Sequence, residues 1–416
     1  MKTIFHIDVN SAYLSWEAVY RLQHGFPYDL RDVPSVVTGN PKARRGIILA
    51  KSIPAKRFNI QTGESLYAAL KKCPALELVG PSYGLYMKAS QSLVDLLKTY
   101  SPDLQRFSID ECFLEITDVE HLYSSPVDLA NAIRDRIKRE LGFTVNIGIS
   151  SNKLLAKVAS DFKKPDRVHT LYPDEVPTKL WPLPVGDLFM VGRATTPKLN
   201  QMGIYTVGDL AKADLTLLRH HFKSHADVIW QYANGIETSE IRIGRYPAIK
   251  GIGNSTTIPF DVTDRRTAHM YLLSLTEMVG ARLRAENFLC GLIAVSIKSD
   301  HFKYISHQKK LHYFTDVTSE IFHEVCQLFD VLWDGTPIRH LGVRVSMFIP
   351  IDMRQISIWE SPNHESLRTL DRTIDHLRTR YGPSIISRGT FANTAIKGIA
   401  GGVPDHDDYP MMASML

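Results

Sequence analysis

The sequence predicts an α+β protein of several domains in which one order of strands and helices occurs twice. Three observations carry this. Short apolar runs with period-two alternation are interleaved with segments of helical period. The order β-α-β-β-α-β is read in the first 165 residues once the segment 26–77 is set aside, and again over 247–350. At 416 residues the chain exceeds what one compact core holds, so roughly two to four domains are expected.

The elements follow in order. Thr3-Ile4-Phe5-His6-Ile7 reads as a strand ending at Asp8, and a helix follows over 11–22, with Asn10 or Ser11 as N-cap and Gly25 beyond its end. Residues 33–38 and 46–51 read as strands, and a helix begins at Ser52 with Pro54 in its first turn. After a helix over 84–100, Leu104–Phe107 and Cys112–Ile116 form a hairpin whose tip is Ser108-Ile109-Asp110-Glu111. A helix at 127–141, a strand at 143–149 and a helix at 152–162 complete this module. Residues 170–235 are short helices punctuated by Gly192, Gly203, Gly208 and Gly235, and a linker over 236–246 holds Arg242 and Arg245. The second module has strands near 249–258, 291–299, 303–313 and 338–348, with helices near 264–287 and 317–332. A polar helix over 364–380 follows, and 381–416 reads as a poorly ordered tail.

With 44% hydrophobic and 22% charged residues the composition is that of a soluble globular protein, and a net charge of +5 permits a polyanionic partner without requiring one. Cys73, Cys112, Cys290 and Cys326 lack any Cys-x-x-Cys spacing, which argues against zinc and against a disulfide framework. The first apolar run is interrupted by Lys2, His6 and Asp8, unlike a signal peptide, and no run reaches membrane-spanning length. A cytoplasmic protein without a membrane partner is expected.

Asp110 and Glu111 repel each other at the hairpin tip unless something positive lies between them, and a solvated turn is the plain alternative. Asp8 changes the balance, because in β-α-β-β-α-β order the first strand lies beside the central hairpin. A strand-end Asp with a hairpin Asp-Glu pair is the ligand set that two-metal phosphoryl transfer requires. Mg²⁺ suits such a set, since it keeps waters and takes a few carboxylates plus substrate phosphate oxygens. In the second module the strands and their entry arm carry Arg242, Arg245, Lys250, Lys298, Lys303, Lys309, Lys310, Arg339 and Arg344 against one acid, Asp300. The second helix region carries Asp316, Glu320, Glu324, Asp330 and Asp334 without Lys or Arg. A basic sheet under an acidic helix suits a phosphate backbone, whereas the plain alternative is a solvated antiparallel face.

Four stretches, Ile7-Asp8-Val9-Asn10-Ser11-Ala12-Tyr13, Ser108-Ile109-Asp110-Glu111, Gly148-Ile149-Ser150-Ser151-Asn152-Lys153 and Ala156–Pro165, together resemble the Y-family (DinB/UmuC-like, translesion) DNA polymerases. The resemblance extends over residues 1 to about 350. It implies a right-hand polymerase: a ferredoxin-like palm (1–25 and 78–168), fingers (26–77), a helix-hairpin-helix thumb (169–235), a linker (236–246), a little finger (247–350) and a tail (351–416). The activity it implies is template-directed, low-fidelity DNA synthesis past lesions, in DNA repair and the SOS response, by a monomer acting on primer-template DNA and dNTP. Asp8, Asp110 and Glu111, with Val9, then hold two Mg²⁺ ions, for which Mn²⁺ can substitute. Ser11 and Ala12 lie at the triphosphate, Tyr13 is the steric gate against a ribose 2′-hydroxyl, and Lys56 and Lys164 reach the phosphates. Gly192, Arg193 and Gly203 belong to DNA-holding hairpins, and Arg242, Arg245, Lys250, Lys298, Lys303, Arg339 and Arg344 to the DNA-facing surface. Gln355-Ile356-Ser357-Ile358-Trp359 resembles the peptide that binds the bacterial sliding clamp; a further strand or a locally packed loop is the alternative.

Two departures stand out. Ile53-Pro54-Ala55-Lys56 occupies the place of the family's Tyr-x-Ala-Arg, losing a hydroxyl and a bidentate fork, and its lysine resembles the UmuC-like branch more than the DinB-like one. Met190 stands where the first hairpin glycine is usual. A nucleotidyl cyclase would share the palm-like sheet but gives no use for the hairpins, the basic sheet or the terminal peptide. A DNA- and clamp-binding protein without activity is disfavoured by the retention of all three carboxylates and Lys164.

Overall fold

The computed structural model describes residues 2–40, 44, 46–117, 123–242, 249–358, 360, 362–392, 394 and 396. The described residues of 1–39 and 47–247 form one compact unit, and those of 40–46 and 248–406 a second. Arg245 and Trp359, both among the expected contact residues, lie outside the described residues.

In the first unit β1 (Ile4–Val9) leads into α1 (Ala12–Gln23) through Ser11, whose backbone is left-handed at φ 50° and whose side chain makes no cap. The segment set aside in the sequence builds β2 (Ser35–Thr38), β3 (Ile48–Lys51), α2 (Ile53–Arg57), α3 (Leu66–Lys72) and β4 (Glu77–Val79), a three-stranded sheet with its own small core around Val36, Ile48, Ala55 and Leu66. The chain then returns as α4 (Tyr83–Lys98), β5 (Leu104–Arg106), β6 (Glu111–Glu115), α5 (Pro126–Leu141), β7 (Val145–Ser150), α6 (Lys153–Asp161) and β8 (Val168–Thr170). Side-chain caps start α5 and α6: Ser125 accepts from the Asp128 amide and Asn152 from the Leu155 amide.

The main sheet runs β5-β6-β1-β7-β8, antiparallel except for the β7–β8 pair. Its first four strands have the ferredoxin-like order, with the first strand between the third and the fourth. Four short helices follow: α7 (Thr196–Gln201), α8 (Val207–Lys212), α9 (Leu215–Phe222) and α10 (Ser224–Ala233). Their core is continuous with the apolar face of α6.

The second unit follows the expected chain order: β9 (Gly251–Val262), α11 (Arg265–Ala285), β10 (Phe288–Ser299), β11 (Tyr304–Thr315), α12 (Thr318–Leu332) and β12 (Ile338–Pro350). Its strands are arranged β11-β10-β12-β9, all antiparallel, so the first strand is at an edge instead of inside. The two modules share a sequence of elements and not a topology.

A second difference concerns the tail. Helix α13 (His364–Tyr381) and the described residues after it pack with the second unit, with Phe391 and Ile396 buried among its apolar side chains. Buried ion pairs fasten the helix. Arg284 reaches Asp375 at 2.5 Å and Asp371 at 3.3 Å, Arg368 reaches Asp316 at 3.0 Å, and His364 Nδ1 lies 2.9 Å from Glu320. A helix rich in Arg and Asp reads from sequence as solvated; here its charges meet partners from α11, the loop before α12 and α12 itself. The expected end of the module at 350 and the expected disorder from 381 are therefore corrected as far as residue 396.

One contact sets the first unit's geometry. Gly148, registered against His6 across β1–β7, lies directly under α6. A Cβ there would fall 1.9 Å from the Ala156 carbonyl oxygen and 2.4 Å from the Ser160 nitrogen, both backbone atoms that cannot rotate away. Gly148→Ala is expected to destabilise the protein by about 3 kcal/mol or more, read as a lowered urea midpoint. Gly80→Ala, which meets open space, should stay within about 0.5 kcal/mol. Equal midpoints for the two variants would show that α6 lifts off the sheet freely.

Candidate active site

The sheet brings the three acidic residues to adjacent strand ends. Asp8, near the end of β1, is registered opposite Glu111 at the start of β6, and the Val9 amide donates to the Asp110 carbonyl at 3.1 Å. Ser108 Oγ donates to Asp110 Oδ1 at 2.6 Å and so fixes that carboxylate on the hairpin tip. Neither Asp8 nor Glu111 is solvated decoration, since their side chains are only 13% and 18% exposed.

Two lysines from α6 and the loop after it supply the counter-charge. Lys164 Nζ donates to Asp8 Oδ2 and lies 2.8 Å from Asp161 Oδ1. Lys157, on the buried side of α6, donates to Glu111 Oε1 at 2.5 Å. Burial lifts Asp8 to about 7, with Glu111 and Asp110 adding to the shift and Lys164 opposing it. Lys164, although burial pulls it down, is held above its ordinary range by Asp8 and Asp161. His6, fully buried beneath the site, is held well below its usual pKa by burial and by Lys157 and Lys164, and is therefore neutral.

The donor set fits a hard divalent ion. It is all oxygen, it comes from two chain segments, and a cation offsets both the burial and the carboxylate crowding that raise Asp8. In the present rotamers Asp8 and Glu111 turn to their lysines, so among the described residues no three His, Cys, Asp or Glu side chains converge into a metal-binding group.

Beside the carboxylates, Ser11 and Ala12 open α1, and Tyr13 is half-buried on its first turn. The Tyr13 ring stacks on Tyr86 at 4.4 Å and 12°, with Tyr83 edge-on at 6.3 Å. Tyr86 is in turn fixed by donating to buried Glu17 at 2.8 Å. Tyr13 is thus both a packed aromatic and a ring whose position α4 holds. Lys56 lies in the last turn of α2 beside Arg57, and Ile53, at the start of that helix, is 46% exposed.

Further along the first unit, Gly192 and Arg193 are exposed just before α7, and Gly203 just after it adopts φ +78°. Met190 adopts φ +74°, a left-handed backbone that glycine takes without strain, so the position retains the turn while its residue has changed. Arg242 is tied by its amide to Gln105 Oε1 at 3.1 Å.

In the second unit, strand register settles which charges share a face. Thr257, His340, Lys298 and Tyr304 form one rung of the sheet, and Gly253, Arg344, Ala294 and Gln308 another. No acid stands on either rung. Arg344 lies flat because Gly251 beside it has no Cβ, which would meet its guanidinium at 2.7 Å. Lys309 alternates to the covered face, where it pairs with Glu324 at 2.6 Å, so the basic strand and the acidic helix partly neutralise each other. A groove of about 320 Å³ is lined by Thr257, Lys298, Tyr304, Arg339 and His340. At its end Phe302, 60% exposed at the hairpin turn, has Lys298 Nζ 4.9 Å and the Arg339 guanidinium 5.0 Å from its ring centre. Lys303, next to Phe302, is exposed, and so is Lys250 just before β9.

Gln355 to Ile358 form no strand, and Ile356 and Ile358 are 82% and 92% exposed. The loop is closed at its base: Arg354 binds Glu365 and, at 2.6 Å, Glu360, and Glu360 accepts from the Ser357 amide at 3.2 Å.

Residues 7–161 match the model of the impB/mucB/samB family, 249–358 that of its C-terminal domain, and 173–204 the helix-hairpin-helix motif of the same family. DNA polymerase IV of Clostridium acetobutylicum is 47% identical over 389 residues, 93% of this chain and 97% of that one. The chain belongs to the DinB-like Y-family DNA polymerases. DNA polymerase IV of Acetivibrio thermocellus is 36% identical over 93% of this chain and 97% of its own. A Y-family polymerase chimera of Dbh and Dpo4 superposes with a TM-score of 0.72 over 84% of this chain and 99% of its own, and at 20% identity what the two share is the fold. The relatives place the chain on the DinB-like side, so Lys56, which leaned towards the UmuC-like branch, does not mark the branch within the Y family. Lys157 and Phe302 had no role in the sequence reading. A lysine among the apolar residues of Leu154–Ala159 was the available signal for the first; a lone aromatic in a charged turn gave none for the second.

Asp8 also makes the fold sensitive to pH. Its folded pKa of about 7 exceeds the ordinary 3.8, so the stability this group contributes is complete below the unfolded value and is lost as pH rises through 7. In EDTA the melting temperature is expected to fall between about pH 4 and about pH 7, the loss being at most about 4 kcal/mol at ~1.4 kcal/mol per unit. Asp8→Asn should flatten the profile. Parallel profiles for the two proteins would rule out buried Asp8 as the source.

Proposed function

We propose that this protein is a template-directed DNA polymerase of the translesion type, joining dNTP to a primer 3′-hydroxyl. The observation that carries the reading is the meeting of Asp8, Asp110 and Glu111 at adjacent strand ends within a family of DNA polymerases. Divalent metal dependence follows from family membership. We assign two Mg²⁺ ions, replaceable by Mn²⁺, to Asp8, Asp110 and Glu111 with the Val9 carbonyl. When bound, they would activate the hydroxyl and neutralise charge at the transferring phosphoryl group. As a ligand Asp8 would be held deprotonated, which would leave Lys164, now its partner, to reach towards the incoming phosphates. Ser11 and Ala12 offer the uncapped amides of α1 to the triphosphate. Lys56 adds charge there without a fork. Tyr13, braced by Tyr86, presents a fixed edge beneath the sugar.

The hairpin turns at Gly192–Arg193 and Gly203 hold DNA phosphates through amides without reading sequence. The face whose Lys298 and Arg344 rungs carry no acid, with Arg339 and Lys303 at its end, tracks the duplex backbone. Lys250, and separately Arg242 and Arg245, are assigned to DNA contact as well. The exposed Ile356 and Ile358, presented on a closed loop, support binding to a sliding clamp, with Gln355 and Ser357 beside them.

Primer extension tests the core of this reading. Asp110→Ala and Glu111→Ala should abolish it, and extension at wild-type rate by either would overturn the site. Tyr13→Ala should weaken discrimination against ribonucleotides by at least about 10²-fold; unchanged discrimination would remove Tyr13 from the gate. Phe302 tests the DNA face without altering charge. If its ring fixes Lys298 and Arg339 for phosphate contact, Phe302→Ala should flatten the dependence of log K on log salt by about 1 to 2. An unchanged slope with unchanged affinity would show that the two cations need no support.

A further inference from the structure

Lys157 has no part in the proposed reaction, yet its ammonium lies 2.5 Å from Glu111 Oε1. Its surroundings leave it nowhere else to go. The residue is 8% exposed, and the ammonium is 5.0 Å from the ring centre of Phe107 and 5.6 Å from that of Phe189. Both rings are themselves fixed: Phe107 packs edge-on against buried Phe113 at 5.4 Å, and Phe189 stacks on Tyr232 at 6.3 Å. An aromatic box of this kind attracts a cation by its ring faces and takes away its water.

His6 closes the remaining side without competing for the carboxylate. Ser160 Oγ donates to the Lys157 carbonyl at 2.7 Å, which leaves its lone pairs to accept from His6 Nδ1 at 2.8 Å. With the proton on Nδ1, the Nε2 of the neutral ring carries a lone pair. That nitrogen lies 3.9 Å from Glu111 Oε1 and has no hydrogen-bond partner. It cannot donate to the carboxylate, so Oε1 is held by Lys157.

We propose that Lys157 is a positioning residue for Glu111: boxed between Phe107 and Phe189, it pins Oε1 and leaves Oε2 as the oxygen offered to a divalent ion. This rests on Glu111 being a metal ligand. It assigns to α6 a part that simple charge balance does not, because a positive charge this close to a ligand would by itself repel a metal. Positioning and repulsion therefore predict opposite signs when the lysine is removed.

The test is binding of Mn²⁺ alone to the full chain, read from the electron paramagnetic resonance signal of the free ion, with single-nucleotide incorporation measured in parallel. Lys157→Met should lower Mn²⁺ affinity by about 10- to 100-fold although it removes a positive charge. It should lower kcat with little change in the KM for dNTP. Lys157→Arg should recover part of both losses. Phe189→Leu, which opens the box and alters no charge, should weaken Mn²⁺ binding in the same direction, and it keeps the question answerable if Lys157→Met does not fold. Mn²⁺ affinity that is unchanged or increased in Lys157→Met, or unchanged in Phe189→Leu, would overturn the proposal. Failure of the parent reading would look different: Asp110→Ala would then extend primers whatever Lys157 does.

Discussion

The carboxylate cleft depends on how closely α6 lies on the sheet, and one missing Cβ sets that distance. Gly148 stands under the Ala156–Ser160 turn, registered against His6. Because the helix backbone sits almost on the strand, Lys157 reaches Glu111, Ser160 reaches His6, and the loop that leaves α6 delivers Lys164 to Asp8. Lift the helix by the width of a methyl group and these contacts loosen together. The stakes are electrostatic. Two like charges about 4 Å apart repel by about 4 kcal/mol at an effective dielectric of 20, and three acidic residues stand here at adjacent strand ends, two of them with little solvent to screen them. A sheet alone could not hold them; a sheet with α6 against it can.

That dependence explains what was legible in the sequence. The acids announced themselves through chain order: Asp8 ends a strand, Asp110 and Glu111 sit on a hairpin, and the β-α-β-β-α-β pattern makes those elements neighbours. The cations did not. Lys164 was visible through resemblance, but Lys157 sits on a helix whose mean pattern is apolar, and pattern reading sends lysines to the surface. Its burial is meaningful only once Glu111, 46 residues earlier, is known to face it. Gly148 was in view as part of a motif, yet nothing local in a strand says that a helix backbone will lie against that position.

The second unit shows a related limit. Its chain order was readable and its strand order was not, since β-α-β-β-α-β admits the first strand either beside the third or at the edge beside the fourth. Connections and side-chain packing decide between them, and here Ile338 to Ser346 of β12 pair with β9 on one side and β10 on the other. The same rearrangement separates the charges. Alternation along β11 sends Lys310 to the open face and Lys309 to Glu324, a distinction that counting basic residues per strand cannot make. Likewise α13 looked solvated because its partners, Arg284, Asp316 and Glu320, are distant in sequence. Burying such pairs is worthwhile only when the geometry is nearly complete, and the multiple bonds made by Arg284 meet that condition.

The docking of α13 also bears on the proposed clamp peptide. A recognition peptide on a free tail loses conformational freedom when it binds, at about 0.5–1.5 kcal/mol for each ordered side chain besides the backbone cost. Here Gln355–Ile358 lies between β12, which ends at Pro350, and α13, which begins at His364, and Arg354 and Glu360 close the loop between them. Folding of the second unit has already restricted the backbone that a partner would otherwise have to order. The exposed isoleucines then stand where their burial against a partner is the main gain still available, at roughly 25 cal/mol per Å². Resemblance proposed the peptide, but the restraint on its loop comes from a helix that the sequence had placed in the solvent.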